Sequence, residues 1–179
     1  MTGRIQTAYF NTKYGELIIG TFDHKLCLCD WRYRKMRGSI DERIQTGLGA
    51  SYVEEGSATI ENTKIQLAQY FSGDRTRFEI PLLLVGSEFQ KQVWSALLQI
   101  PFGKTDTYAG LSRKLGNEKA IRAVAAANGA NAISIIIPCH RILGGDGRLI
   151  GYAGGLETKK KLLQLENAFK QGELNFPTS

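Results

Sequence analysis

Between Arg4 and Trp31 the chain passes three times through short runs rich in β-branched, aromatic and aliphatic residues: Ile5–Phe10, Glu16–Phe22 and Leu26–Trp31. Asp23-His24-Lys25 supplies the turn between the last two. Runs this short, separated by so few residues, cannot be joined by crossover connections, so they must fold back as an antiparallel meander. From Gly38 to Ser57, Gly38, Ser39, Gly47, Gly49, Ser51, Gly56 and Ser57 interrupt any period, and the segment reads as loop. A helix is expected over about Thr59–Phe71.

The pattern changes at Gly86-Ser87. Ser87 with Gln90 three residues later has the form of a capping box, and Phe89, Val93, Leu97 and Ile100 recur on one helical face until Pro101-Phe102-Gly103 stops it. Tyr108–Leu115, Gly116-Asn117 and Glu118–Asn128 then outline two short helices around a glycine-bearing turn, a helix-turn-helix. Ile133–Ile137 is a short apolar run that reads as a buried strand. A last amphipathic helix is expected over about Leu156–Gln171. The fold class is therefore α+β: a β-meander and helix domain over residues 1–85, and a mostly helical domain over 86–179.

Charge follows the same division. Residues 1–85 hold 11 Lys+Arg against 10 Asp+Glu, whereas 86–179 hold 12 against 7, so a net charge of +6 is concentrated in the second half. Such an excess suits a polyanion but also occurs in proteins that bind none. No run approaches a signal peptide's apolar stretch or the roughly 20 apolar residues of a membrane-spanning helix, so a cytoplasmic, nucleoid-associated protein with no membrane partner is expected. The three cysteines are expected as free thiols.

Cys139 follows an apolar run and a proline, where the chain leaves the core, and His140 and Arg141 come next. A thiol attacks as its thiolate and needs a base or positive charge nearby. Neighbours in an extended chain point apart, so His140 serves Cys139 only if the backbone turns or a water carries the proton. A buried cysteine beside a surface histidine is the competing account. Glu166 shares a helical stripe with Leu162, Leu163 and Phe169, and a carboxylate on a buried face requires a partner. His140 would complete a thiol triad; Arg141 or a lysine of Lys159–Lys161 would make a structural pair instead.

The second helix of the helix-turn-helix carries Ala120, Ala123, Ala125, Ala126 and Ala127, with Arg122 projecting from it. Small residues suit entry into the narrow minor groove, and an arginine there can occupy the place of an extruded base; a tightly packed interior helix explains the alanines equally well. His24, Cys27 and Cys29 lack a fourth ligand and the usual spacing of a zinc site, and Arg32, Arg34, Lys35 and Arg37 read as a solvated strand edge.

The C-terminal half closely resembles the O6-alkylguanine-DNA alkyltransferases, from Phe89 to Glu166. The matching motifs are Phe89-Gln90-x2-Val93-Trp94, Pro101-Phe102-Gly103 with Thr107-Tyr108, Arg122-Ala123-Val124, Ala127-Asn128-Gly129-x-Asn131, Ile137-Pro138-Cys139-His140-Arg141 and Gly151-Tyr152-Ala153-Gly154-Gly155-Leu156. The N-terminal half is similar more loosely, mainly in Gly15-Glu16-Leu17 and its strand pattern.

The resemblance implies irreversible, stoichiometric transfer of an alkyl group from guanine O6, and from O4 of alkylthymine, to Cys139. It also implies His140 as a water-mediated base, Glu166 as its orienting carboxylate, Asn131 as the brace of the active-site turn and Tyr108 as a proton donor to the purine. Arg122, Ala123, Ala126, Ala127 and Arg141 would contact DNA. Gly151, Tyr152, Ala153 and Ser134 would line or approach the base pocket. The implied partner is double-stranded DNA, entered through the minor groove with the alkylated guanine flipped out, and the protein would act as a monomer without cofactor or metal. Ala132, Ala153 and Ala125 replace the commoner proline, serine and glycine, which bears on the tolerance for bulky alkyl groups. Two rival classes are a helix-turn-helix or lesion-recognition protein that repairs nothing, and a thiol hydrolase built on Cys139, His140 and Glu166.

Overall fold

The computed structural model describes residues 2–168. Strands β1 (Gly3–Thr12), β2 (Gly15–Phe22) and β3 (Lys25–Trp31) form the expected antiparallel meander. Asp23 and His24 both adopt positive φ, the conformation a two-residue hairpin needs to match strand twist. The loop expected at 38–57 is corrected: it holds helix α1 (Arg37–Leu48) and strand β4 (Ala50–Glu54), which pairs parallel to β1 and completes a sheet of order β3-β2-β1-β4. Ile40 and Ile44 bury the inner face of α1, and Gly49, in the left-handed region, lets the chain turn straight into β4.

Both faces of the sheet are covered. Ile5, Ile18 and Leu28 pack with Ile40 and Ile44 on one side, while Leu17, Ile19 and Cys29 join Ile60, Leu67 and Tyr70 of helix α2 (Ala58–Phe71) on the other. Ser57 caps α2 by accepting from the Ile60 amide at 3.2 Å, which contributes about 1 kcal/mol.

Helix α3 (Glu88–Leu97) starts with the full capping box of Ser87 and Gln90, whose reciprocal bonds measure 3.2 and 2.9 Å. Strand β5 (Asp106–Thr107) leads into α4 (Tyr108–Lys114), and a 3-10 turn at Glu118–Ala120 precedes α5 (Ile121–Gly129). A second 3-10 turn, Cys139–Arg141, runs into strand β6 (Ile142–Leu143), which pairs with β5; helix α6 covers Leu156–Leu165. Phe169, at the far end of the stripe expected in this last helix, lies outside the described residues.

The buried strand expected at Ile133–Ile137 is also corrected. It is a tight turn in which the Ile137 amide donates to Ile133 O at 3.0 Å and Ile135 takes φ 73°. All four isoleucines are buried nonetheless, so a continuous core runs from the sheet through Val93, Trp94 and Leu97 to Leu162 of α6. Each such aliphatic side chain contributes roughly 1.5–3 kcal/mol by burial, which makes this turn rigid without a regular ladder. Among the described residues no helix is long and apolar enough to cross a membrane.

Candidate active site

The turn at 133–137 brings Cys139 back towards Asn131. The Asn131 amide nitrogen donates to Ile137 O at 2.9 Å and to the Cys139 sulfur at 3.2 Å, while its oxygen accepts from the Ile133 amide at 2.9 Å. One side chain thus braces both ends of the turn and contacts the thiol. Cys139 is 4% exposed. Burial pushes its pKa up; the Asn131 bond and the positive charge of Lys159 offset part of that. At neutral pH it rests as a thiol, so attack requires a proton acceptor.

His140, next in the chain, is fully buried. Its Nε2 lies 2.7 Å from Glu166 Oε1, and its Nδ1 is buried with no partner among the described residues. Burial lowers the His140 pKa and outweighs the opposing pull of Glu166. The ring is therefore neutral near pH 7, with the proton on the nitrogen that faces the carboxylate and a lone pair on Nδ1. No hydrogen bond joins His140 to Sγ among the described residues.

Glu166, at the end of α6, is a hub rather than a single partner. Its Oε1 accepts from Tyr70 OH at 2.6 Å, from His140, and from Arg141 Nη2 at 3.0 Å; its Oε2 accepts from Arg141 Nε at 2.9 Å. Both alternatives open in the sequence hold at once: Glu166 orients the histidine and forks with the arginine. Burial alone would raise this carboxyl, but the hydrogen bonds and charges of His140 and Arg141 hold it at about 2. Arg141 Nη1 donates to Ile100 O at 2.6 Å, and its side chain is 8% exposed. The expectation that Arg141 touches DNA is corrected by this burial, since the guanidinium is taken up inside the protein by Glu166 and Ile100 O.

Cys139, Asn131, Tyr108, Gly151, Tyr152 and Ala153 line one cavity of about 680 Å³, within the size range of small-molecule sites. Trp31 Nε1 donates to Tyr152 OH at 3.2 Å and holds that wall to the sheet. A Cβ on Gly154 would stand 2.6 Å from the Trp31 ring, so only glycine permits the loop to approach so closely. Ser134 does not line the cavity. It is fully buried and donates to Asp30 at 2.9 Å, which corrects the expectation that it borders the base pocket. On α5, Arg122, Ala123 and Ala126 are exposed, whereas Ala127 is 3% exposed and its carbonyl accepts from Trp94 Nε1 at 2.8 Å, which corrects the expectation that its side chain contacts DNA: it belongs to the core. His24 is exposed on its hairpin and Cys27 and Cys29 are buried; burial pushes the Cys27 thiol up to about 12. All three cysteines are free thiols, as expected.

From the sequence, Lys159 is named only within Lys159–Lys161, as a possible partner of Glu166, and Tyr70 is not singled out. Lys159 is fully buried, and its ammonium donates to the carbonyls of Ile142, Ile150 (2.9 Å) and Gly151 (3.2 Å), which fixes the loop that forms the pocket wall. Burial lowers its pKa to about 8. It lies three and four residues before Leu162 and Leu163, so the stripe that singles out Glu166 also contains it. Tyr70 has no such signal, because its link to Glu166 spans 96 residues.

The family model described as 6-O-methylguanine DNA methyltransferase, DNA binding domain, matches residues 88–168. The methylated-DNA–protein-cysteine methyltransferase of Methanosarcina acetivorans is 44% identical over 126 residues, which is 67% of this chain and 81% of that protein. The crystal structure of Mycobacterium tuberculosis O6-methylguanine methyltransferase superposes with a TM-score of 0.77 at 32% identity, covering 95% of this chain and 97% of that one. Mycobacterium tuberculosis OGT in complex with DNA is similar at TM-score 0.76 and 33% identity, over 92% and 93% of the two chains. The match extends through the sheet as well as the cysteine-bearing half, and the chain belongs to the methylated-DNA–protein-cysteine methyltransferase family.

Proposed function

We propose that the chain repairs O6-alkylguanine in duplex DNA by accepting the alkyl group on Cys139, once and irreversibly. The observation that carries this reading is the convergence on one cavity of a thiol held by Asn131, with a neutral histidine behind it locked by a fully buried carboxylate. Sγ attacks the alkyl carbon in line with its bond to O6; a C–S bond forms, the C–O6 bond breaks, and its electron pair returns to the purine. The thiol proton passes through one solvent molecule to His140 Nδ1, and the departing purine takes up one proton, so atoms and electrons balance without a cofactor. Tyr108, whose hydroxyl lies 3.4 Å from Ile150 O at the cavity wall, donates to the purine as charge builds on it. Tyr152 and the Ala153 backbone hold the base.

The same reading assigns α5 to the minor groove. Its outer face offers Ala123, Ala126 and Gly129, too small to obstruct the groove, and Arg122 takes the place of the flipped nucleotide in the stack. Residues 86–179 carry DNA binding and transfer, and residues 1–85 brace them. O4-alkylthymine presents the same alkyl–oxygen bond and is a second substrate. The protein works as a monomer in the cytoplasm, on the nucleoid. Titrating it with a duplex carrying labelled O6-methylguanine should give a plateau at one methyl per protein. Continued turnover, or a lesion left intact, contradicts the reading.

A further inference from the structure

The arginine run at the end of β3 splits into two sets. Arg32 lies over the Tyr9 ring, its guanidinium 3.9 Å from the centroid, and pairs with Glu16 at 2.8 Å. Arg34 and Arg37 turn inward to Asp30, whose side chain is fully buried. Arg34 reaches further. Its Nη1 also donates to Asn131 O at 3.0 Å and its Nη2 to Gly129 O. Arg43 of α1 donates to Ala130 O at 2.8 Å, and the Cys29 amide to Ala132 O at 2.9 Å.

Four consecutive carbonyls, Gly129 to Ala132, therefore accept from the N-terminal half. The first is the last carbonyl of α5, an end that carries partial negative charge and lacks intrahelical donors. Two guanidinium groups answer that charge. The turn beyond it delivers the Asn131 amide to the Cys139 sulfur, and its far side is tied back to Asp30 through Ser134 at 2.9 Å.

We propose that Arg34, seconded by Arg43, is a positioning residue for Cys139: it caps α5 from outside that helix and fixes the turn that presents Asn131 to the sulfur. The N-terminal half thereby sets the reactivity of a thiol with which Arg34 shares one cavity but no hydrogen bond. The charge of Arg34 favours the thiolate, as the Asn131 bond and Lys159 do, and opposes the effect of its partner Asp30, which disfavours it. A lysine supplies the charge but not the planar fork that joins one carboxylate to two carbonyls. The proposal rests on Cys139 as the alkyl acceptor, but its test does not require DNA.

The full chain and its Arg34→Lys, Arg34→Met and Arg43→Gln variants would be treated with iodoacetamide across pH, with modification of the Cys139 peptide read by mass and folding checked by thermal unfolding. Losing the Asn131 contact to the thiolate should make Arg34→Met about tenfold slower at pH 7, with its pH midpoint about one unit higher. Arg34→Lys should fall between it and the unsubstituted protein. Arg43→Gln, which releases Ala130 O and the Trp94 ring but neither Asn131 O nor Gly129 O, should shift less in the same direction and carries the test if the Arg34 variants do not fold. Folded variants with unchanged rate and midpoint overturn the proposal, because a purely structural arginine would lower the unfolding temperature alone. If the midpoint shifts while the unsubstituted protein removes no methyl from DNA, the repair reading fails and the positioning role stands.

Discussion

Replacing Glu166 by glutamine removes one negative charge at nearly constant shape, and the surroundings set the cost. The carboxylate accepts from Tyr70, His140 and twice from Arg141 within 3.0 Å and is fully buried. A fall of its pKa from 4.5 to about 2 corresponds to roughly 3 kcal/mol of preference for the charged form in the folded protein. Breaking a buried ion pair by removing one partner costs about 3–5 kcal/mol, which agrees, since Glu166→Gln leaves the Arg141 guanidinium buried without a carboxylate and with one acceptor fewer. Urea unfolding at pH 7 should therefore show Glu166→Gln less stable by about 3 kcal/mol. The folded pKa is the depressed one, so the advantage of the glutamate is complete above 4.5 and disappears as pH falls towards 2. The gap between the two proteins should close over that window. A gap under about 1 kcal/mol at pH 7, or one that persists at pH 2, would refute the reasoning.

Three further outcomes are expected. Alkyl transfer from a free alkylated base should lose rate on acidification as His140 gains a proton, with a midpoint below 6.5 because burial lowers this group; a midpoint above 6.5 contradicts a neutral base at Nδ1. Arg122→Ala should slow repair of duplex DNA while leaving reaction with the free base unchanged, as compared by single-turnover kinetics; equal losses would exclude a role in base extrusion. Lys159 has a folded pKa near 8 against 10.5 unfolded, so stability should rise between pH 8 and 10.5 as the unfolded chain alone keeps the proton. Lys159→Met should remove that component of the rise in chemical unfolding, and an identical pH profile would show that the ammonium is not buried as described.

The strands up to Trp31, the helices after Ser57 and Ser87 and the helix-turn-helix outline were legible because period, caps and turn residues agreed locally. Helix α1 was not legible: two glycines fall inside it and only Ile40 and Ile44 mark its buried side. Strand β4 depends on a parallel partner nearly fifty residues away, which no local pattern displays. Ile133–Ile137 shows why a short apolar run is ambiguous, since burial selects isoleucine in a turn as readily as in a strand. In the site, Cys139, His140 and Glu166 stood out by chemistry and stripe. Arg141 and Lys159 were named only as possible partners of Glu166, and their burial was not legible, because charge argues for exposure until buried acceptors are known. Arg34 was hidden in a basic run that looked solvated, and only the tertiary fold separates it from Arg32.

The central claim is that Cys139 is a consumed acceptor. Incubation with a duplex containing O6-methylguanine, followed by proteolysis and mass measurement, should show a stable gain of one methylene on the peptide bearing Cys139 and none on those bearing Cys27 or Cys29. A methyl group found elsewhere, or a restored guanine with Cys139 unmodified, would contradict it.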